Sequence, residues 1–371
     1  MQKMSKAIRF AALLAVCCIT QTAYSQDVQL GRDEQGEVIS ARYGGKLGFR
    51  ATRLRQFPRL ETLYVDYGLA LTADDLDYLA TLSSLQEIEF GFAGVSSEYV
   101  TINADLAPLA KLTQLRSLVL CKEKMQDDDL KFVAALPRLE YLEFNGDTNP
   151  EGEKGPAVTD RAAEYLGKAP ALKHLIIEGF PTLSDKFVDQ VTAGVPGLEH
   201  FDVTSPAMTD ESLRMLAERC ERLRWLDMSV PQVTDDGVRH LAAAKNLEML
   251  WIDSPQLTKD CVAAVAELKK LRHLELTVPT IDDQDVGTLV ALPQLEILAL
   301  RRPPLTDQQF AKFRQHAALE SAFLNGRQLS KEETLQTVAA LPRLRHLTLY
   351  GNERLQAVVG QVLAARRPAT D

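Results

Sequence analysis

Leu223-Arg-Trp-Leu226-Asp-Met228, Leu247-Glu-Met-Leu250-Trp-Ile252 and Leu271-Arg-His-Leu274-Glu-Leu276 are three copies of one pattern, starting 24 residues apart. Within each copy apolar residues alternate with polar or aromatic ones, the period of a strand with one face turned inward. Between copies the period changes. Thr234-Asp235 and Thr258-Lys259-Asp260 offer side-chain oxygens that cap the first turn of a helix. Val238, Leu241 and Ala242, or Val262, Val265 and Ala266, then follow at helical spacing. A strand and a short helix in so few residues leave an apolar face that one unit cannot cover, and stacked units cover it for one another.

Outward from this centre, L-x-x-L-x-L starts at Leu60, Leu85, Leu115, Leu139, Leu172, Leu198, Leu223, Leu247, Leu271, Leu295, Leu319 and Leu344. The copy at Leu319 is the weakest, with Ala322 in its second apolar position. The expected fold is therefore α/β: a curved solenoid of about twelve repeats, with a parallel concave sheet and helices on the convex side. Residues 54–354 make up the repeats. Residues 26–53, with turn signals around Val38-Ile-Ser-Ala-Arg-Tyr43, are expected to form a capping hairpin, and 355–371 a closing helix and tail.

Val233-Thr-Asp-Asp-Gly-Val-Arg-His-Leu-Ala-Ala-Ala-Lys-Asn-Leu-Glu-Met-Leu250 resembles the repeat of cysteine-containing, ribonuclease-inhibitor-like and bacterial GALA-type leucine-rich-repeat proteins. Cys220, three residues before Leu223, falls where that subfamily often has its cysteine. The resemblance covers residues 54–357 and implies a curved α/β solenoid used in protein recognition. Two features depart from it. Pro206, Pro231, Pro255, Pro279 and Pro303 stand where the family commonly has an asparagine whose amide ties adjacent turns; proline has no N–H to give and fixes φ. No F-box precedes the repeats, which argues against a ubiquitin-ligase adaptor.

The first 25 residues read as a signal peptide: Lys3, Lys6 and Arg9, then the apolar run Phe10 to Ile19, then Ala23-Tyr-Ser25. The run is too short to span a bilayer as a mature helix. Val16 is too bulky for a lipoprotein site at Cys17. Loss of the three cations takes the formal charge from −9 to −12, which opposes nucleic acid and anionic lipid. Export to the periplasm or beyond is the expectation. Cys121, Cys220 and Cys261 then remain, too few and of the wrong parity for a disulfide framework.

The residues that alternate with the leucines face away from the core and form columns down the sheet. The first column holds Tyr141, His174, His200, Trp225 and His273. The middle column holds Glu143, Asp202, Asp227, Trp251 and Glu275. The third holds Cys121, Asp253 and, by the same count, Arg301 beside Asn325. Both tryptophans of the chain lie on adjacent strands among carboxylates, a composition of protein-recognition hot spots. The eleven residues Tyr141, Glu143, His174, His200, Asp202, Trp225, Asp227, Trp251, Asp253, His273 and Glu275 are the candidate binding face.

Other chemistry is thinly supported. His174 and His200 with Glu178 and Asp202 carry zinc-ligating types without a ligand motif, and Ser229, His200 and Asp202 make a nucleophilic set that any polar sheet yields. Asp147, Asn149, Glu151 and Glu153 imitate the start of a calcium loop, but Val158 replaces its bidentate glutamate. The expectation is a monomeric, non-enzymatic module without cofactor or metal, binding a protein or peptide that carries a basic patch. The alternatives are an envelope spacer and a secreted host-directed effector.

Overall fold

The computed structural model describes residues 28–44, 49–65, 70–91, 101–102, 104–122, 125–145 and 158–366. The leader and the loop read for calcium lie outside these. No helix among the described residues is long and apolar enough to cross a membrane. The chain divides into two compact units, residues 1–182 with 193–195 and residues 183–192 with 196–371.

The first unit carries β1 (Val28–Arg32), β2 (Val38–Tyr43), β3 (Thr62–Val65), β4 (Ala70–Leu71), β5 (Glu87–Phe90), β6 (Thr101–Ile102), β7 (Ser117–Cys121), β8 (Tyr141–Asn145) and β9 (His174–Glu178). β1 and β2 form an antiparallel hairpin. β2, β3, β5, β7, β8 and β9 then follow as a parallel sheet, while β4 and β6 pair by themselves. The second unit carries β10 (His200–Thr204), β11 (Trp225–Ser229), β12 (Met249–Asp253), β13 (His273–Leu276), β14 (Ile297–Pro304), β15 (Ser321–Asn325) and β16 (His346–Tyr350). Each pairs parallel with the next. The mixed α/β solenoid of parallel strands and short helices read from the repeats is the architecture found.

Phase explains the packing. Phe201, Leu226, Leu250, Leu274, Leu298, Ala322 and Leu347 stand in register across the second unit, none more than 4% exposed. Each full-sized member contributes roughly 1.5–3 kcal/mol by leaving water. The weak copy is still a core position, for Ala322 is 1% exposed.

The threonines cap their helices as the sequence indicates: Thr209 Oγ1 accepts from Glu211 N, Thr234 Oγ1 from Asp236 N and Thr258 Oγ1 from Asp260 N. The aspartates beside them do more than favour a helix start. Asp185 accepts from the N–H and hydroxyl of Thr209 at 2.9 and 2.7 Å. Asp210 accepts likewise from Thr234 at 2.7 and 2.7 Å, and Asp235 from Thr258 at 2.9 and 2.6 Å. In the first unit Asp127 holds Thr159 in the same way. Each carboxylate thus clamps the cap of the following repeat, and charge-assisted bonds are the strong ones.

Proline takes the place of the asparagine amide, and other side chains tie the neighbouring turns. Beside the prolines, Ser254 Oγ donates to Val233 O at 2.6 Å and Gln256 Nε2 to Pro231 O at 2.9 Å. At the last repeat, where asparagine stands in place of proline, its own amide ties the turns: Asn352 Nδ2 donates to Gly326 O and Leu329 O. At the β16 edge, the Gln356 amide, from the helix Glu353–Ala364, accepts from Leu349 N at 2.6 Å and donates to Leu347 O at 3.1 Å. It covers backbone groups that an edge strand otherwise offers to another chain.

His316, 5% exposed, is a core histidine of the second unit. Its Nε2 lies 3.0 Å from Leu292 O and its Nδ1 accepts from Leu319 N at 3.2 Å. That pair of contacts requires the neutral ring protonated on Nε2. Burial, partly offset by the Leu292 carbonyl, holds its pKa below the usual histidine value of 6.5. A folded-state pKa below the unfolded one leaves stability intact above pH 6.5 and removes it as pH falls below that value. Melting temperature should therefore drop from pH 7 towards pH 5, and His316→Gln should flatten that part of the slope. An unchanged slope in the variant would show that His316 does not carry it.

Candidate functional site

The sheet face away from the helices is assembled by register alone. On β10 to β13, His200, Trp225, Met249 and His273 form one row and Asp202, Asp227, Trp251 and Glu275 the next. Neighbouring members are about 4.8 Å apart, the strand spacing. Asp253 stands opposite Ser229. The second unit thus brings eight of the eleven sequence candidates onto one surface.

Exposure differs from the sequence expectation. Trp225, Trp251, Asp253 and His273 are half-buried, but His200, Asp202, Asp227 and Glu275 are 5%, 4%, 2% and 8% exposed. Asp202 and Asp227 stand side by side in register and Trp251 follows Asp227, so the two short aspartates form the enclosed part of the face. The His200 and Trp225 rings meet edge to face with centroids 5.2 Å apart. Such a pair is preorganised, and a preorganised aromatic loses little on binding.

The other three candidates, Tyr141, Glu143 and His174, lie in the first unit. The Tyr141 and His174 rings are 5.8 Å apart, and the Tyr141 hydroxyl donates to Glu143 Oε2 at 2.7 Å. Asn145 Nδ2 donates to Glu143 Oε1 at 3.3 Å and approaches Cys121 Sγ at 3.5 Å. All these contacts lie within the first unit.

Several sequence expectations change here. Cys121 is not a solvent-facing thiol: it is 1% exposed, and burial first, then the Glu143 carboxylate, pushes its pKa up to about 12. Burial likewise takes Cys220 and Cys261 to about 12. A thiol that stays protonated is a poor nucleophile, so all three cysteines should resist iodoacetamide at pH 8 in the native protein and react after unfolding; labelling of the native chain would contradict this placement. Ser229 pairs with Thr204, whereas His200 pairs with Trp225. Four residues of strand, about 13 Å, separate the two positions, so the nucleophilic set is not assembled. Among the described residues no group of three or more His, Cys, Asp or Glu is placed to hold a metal ion.

The third column breaks at β14. Leu300 pairs with Leu324 but Pro304, not Arg301, pairs with Asn325. Arg301, Arg302 and Pro303 form a bulge, which re-aims side chains. Arg301 turns to Glu275, Nη1 to Oε1 at 3.1 Å and Nη2 to Oε2 at 3.3 Å, with its guanidinium carbon 6.0 Å from the Tyr350 ring centre. Glu275 is therefore answered by a cation on the same face; the column count placed Arg301 beside Asn325 and did not foresee this pairing. The adjacent prolines 303 and 304 were the available signal, since proline cannot continue a ladder.

Beyond the face, charges are balanced along the strand entrances. Arg224 binds Glu248 with two bonds of 2.9 Å, and Arg272 binds Glu296 at 2.7 Å. Exposed pairs of this kind contribute about 0.2–1 kcal/mol each, and they mute the sheet's edge.

No family model matches this chain, and no curated protein matches it. Solved structures do. A chain from the crystal structure of the Rad7 and Elc1 complex in yeast superposes with a TM-score of 0.53 at 17% identity, covering 82% of this chain and 79% of that one. An internalin, inlF of Listeria monocytogenes, covers 93% of this chain and 94% of its own at 16% identity, with a TM-score of 0.48. Likeness at such identity speaks for the fold alone. The likeness to the yeast chain agrees with the fold built up from the strands and the Leu rows, and folds do not carry particular partners.

Proposed function

We propose that this chain is an exported, non-enzymatic leucine-rich-repeat module that binds a protein or peptide on the sheet face of its second unit. The observation that carries the reading is the placement of Trp225 and Trp251 on adjacent strands, half-buried, with Asp227 in register beside Trp251. Tryptophans with an enclosed charged floor are the residues in which binding energy concentrates. The carboxylates of β10 to β12 favour a cationic contact, so association weakens as salt screens it. In keeping with a scaffold that presents partners, the similar yeast chain comes from a complex with a second protein.

Capture of partners from envelope extract at low salt, by the wild-type protein and by the variant Trp225→Ala/Trp251→Ala/Asp227→Asn, tests this. The wild type should retain a partner that the variant does not. Equal retention by both would assign binding elsewhere, and retention by neither would favour the spacer. Export is tested by N-terminal sequencing of the protein recovered from the periplasm or medium, with Gln26 expected first; an intact Met1 in the mature protein would refute the leader.

A further inference from the structure

The residues one place before each repeat's first leucine reach back along the stack. Arg138 Nη1 donates to Gln114 Oε1 at 2.5 Å and Lys270 Nζ to Asn246 Oδ1 at 2.6 Å, each acceptor lying 24 residues earlier. Residues at one phase are neighbours in a stack, so a donor finds its acceptor in the preceding repeat. After Lys270 this row continues with Gln294, Ala318 and Arg343. Alanine offers no acceptor. Arg343 is exposed and has no ion pair or side-chain hydrogen bond among the described residues.

The short side chain of Ala318 leaves a notch in the row, and a groove of about 520 Å³ opens along the strand entrances of the second unit, from Arg224 to Arg343. The row that follows the first leucine is neutral along it. Arg224 holds Glu248 and Arg272 holds Glu296, and Glu320 and Arg345 add one charge of each sign. The row that precedes the leucine is not neutral: from Asn246 to Arg343 it carries Lys270 and Arg343 and no acid. Lys270 donates to a neutral amide oxygen and so keeps its charge. The groove therefore has a surplus of two cations, three repeats or about 14 Å apart.

The rest of the lining narrows the ligand. Only Pro293 and Ala318 are apolar, and no aromatic residue borders the groove. Protein partners concentrate their binding energy on aromatic anchors, and single-stranded nucleic acid stacks its bases on rings; neither finds them here. Separated cations, with the Gln294 amide between them, suit a chain of hydroxyls that carries carboxylates at intervals, and a guanidinium matches a carboxylate in charge and shape. We infer that this groove is a second binding site, independent of the sheet face proposed above, for a linear acidic polysaccharide that sets a uronate carboxylate against Arg343 over Ala318.

Calorimetry on the full-length protein at low salt tests this, with hexagalacturonate, neutral maltohexaose, galacturonic acid and hexaglutamate as probes. Hexagalacturonate should bind at least about fivefold more tightly than each of the other three, the order of one ion pair. Arg343→Gln should erase that advantage. Ala318→Gln, which fills the notch and gives Arg343 the acceptor that its row supplies elsewhere, should weaken binding about as much, while Trp225→Ala leaves it unchanged. Equal binding by hexaglutamate or by galacturonic acid, or no binding of hexagalacturonate, would overturn the polysaccharide. Affinity unchanged in both Arg343→Gln and Ala318→Gln, with wild-type melting temperatures, would overturn the groove as its site, and loss of binding in Trp225→Ala would place the sugar on the sheet face instead.

Discussion

Gly237→Ala should lower the stability of the second unit by about 2–4 kcal/mol, whereas Gly287→Ala should raise it by about 0.5–1 kcal/mol. Both glycines lie inside helices, Asp235–His240 and Asp283–Val290. A Cβ on Gly287 meets nothing within 4 Å, so alanine there only removes conformational freedom from the unfolded chain. A Cβ on Gly237 falls 2.4 Å from Asp210 Oδ1 and 3.1 Å from Asp210 Cα. The Asp210 backbone is fixed in its own helix, so the carboxylate must swing away from the N–H and hydroxyl of Thr234. Two charge-assisted bonds and the cap of the next repeat are then lost together. Melting temperatures of the two variants should move in opposite directions, with amide exchange in Gly237→Ala accelerated around residues 205–245. Equal shifts in one direction would mean that the Asp–Thr ladder does not bear on stability.

The second large effect is on binding. Trp225→Ala, Trp251→Ala and Asp227→Asn combined should cost at least about a hundredfold in affinity. A central tryptophan is worth about 2 kcal/mol or more, and tenfold corresponds to about 1.4 kcal/mol. The Leu226, Leu250 and Leu274 row lies on the opposite side of the sheet and keeps its packing. His200 loses the Trp225 ring it meets at 5.2 Å, so a modest fall in melting temperature accompanies the change. Loss of binding with the fold retained separates a contact surface from a structural one.

Much of this was legible in the residues. Leu-x-Leu alternation at a fixed phase is the strand register itself, so the rows from His200 to His273 and from Asp202 to Glu275 follow from counting. Helix starts at Thr234 and Thr258 were equally readable, because capping is local. Contacts one repeat away were not. Thr-Asp invites a reading as a cap alone, and the second partner of Asp210 stands 24 residues on. Its signal was the recurrence of the same polar pair at the same phase in successive repeats, since residues at one phase are neighbours in a stack. Counting also failed where the backbone stopped obeying it, at Arg301 to Pro303. Nor does alternation give depth. It places Cys121 and Asp227 on the outer face but says nothing of the neighbours that leave them 1% and 2% exposed.

The most direct test of the account is the affinity of a captured partner for the wild-type protein and for Trp225→Ala/Trp251→Ala/Asp227→Asn, titrated at low and at high salt. A loss of at least about a hundredfold in the variant, with wild-type affinity falling as salt rises, is the predicted result. The same affinity for both proteins, with the variant folded, would contradict it.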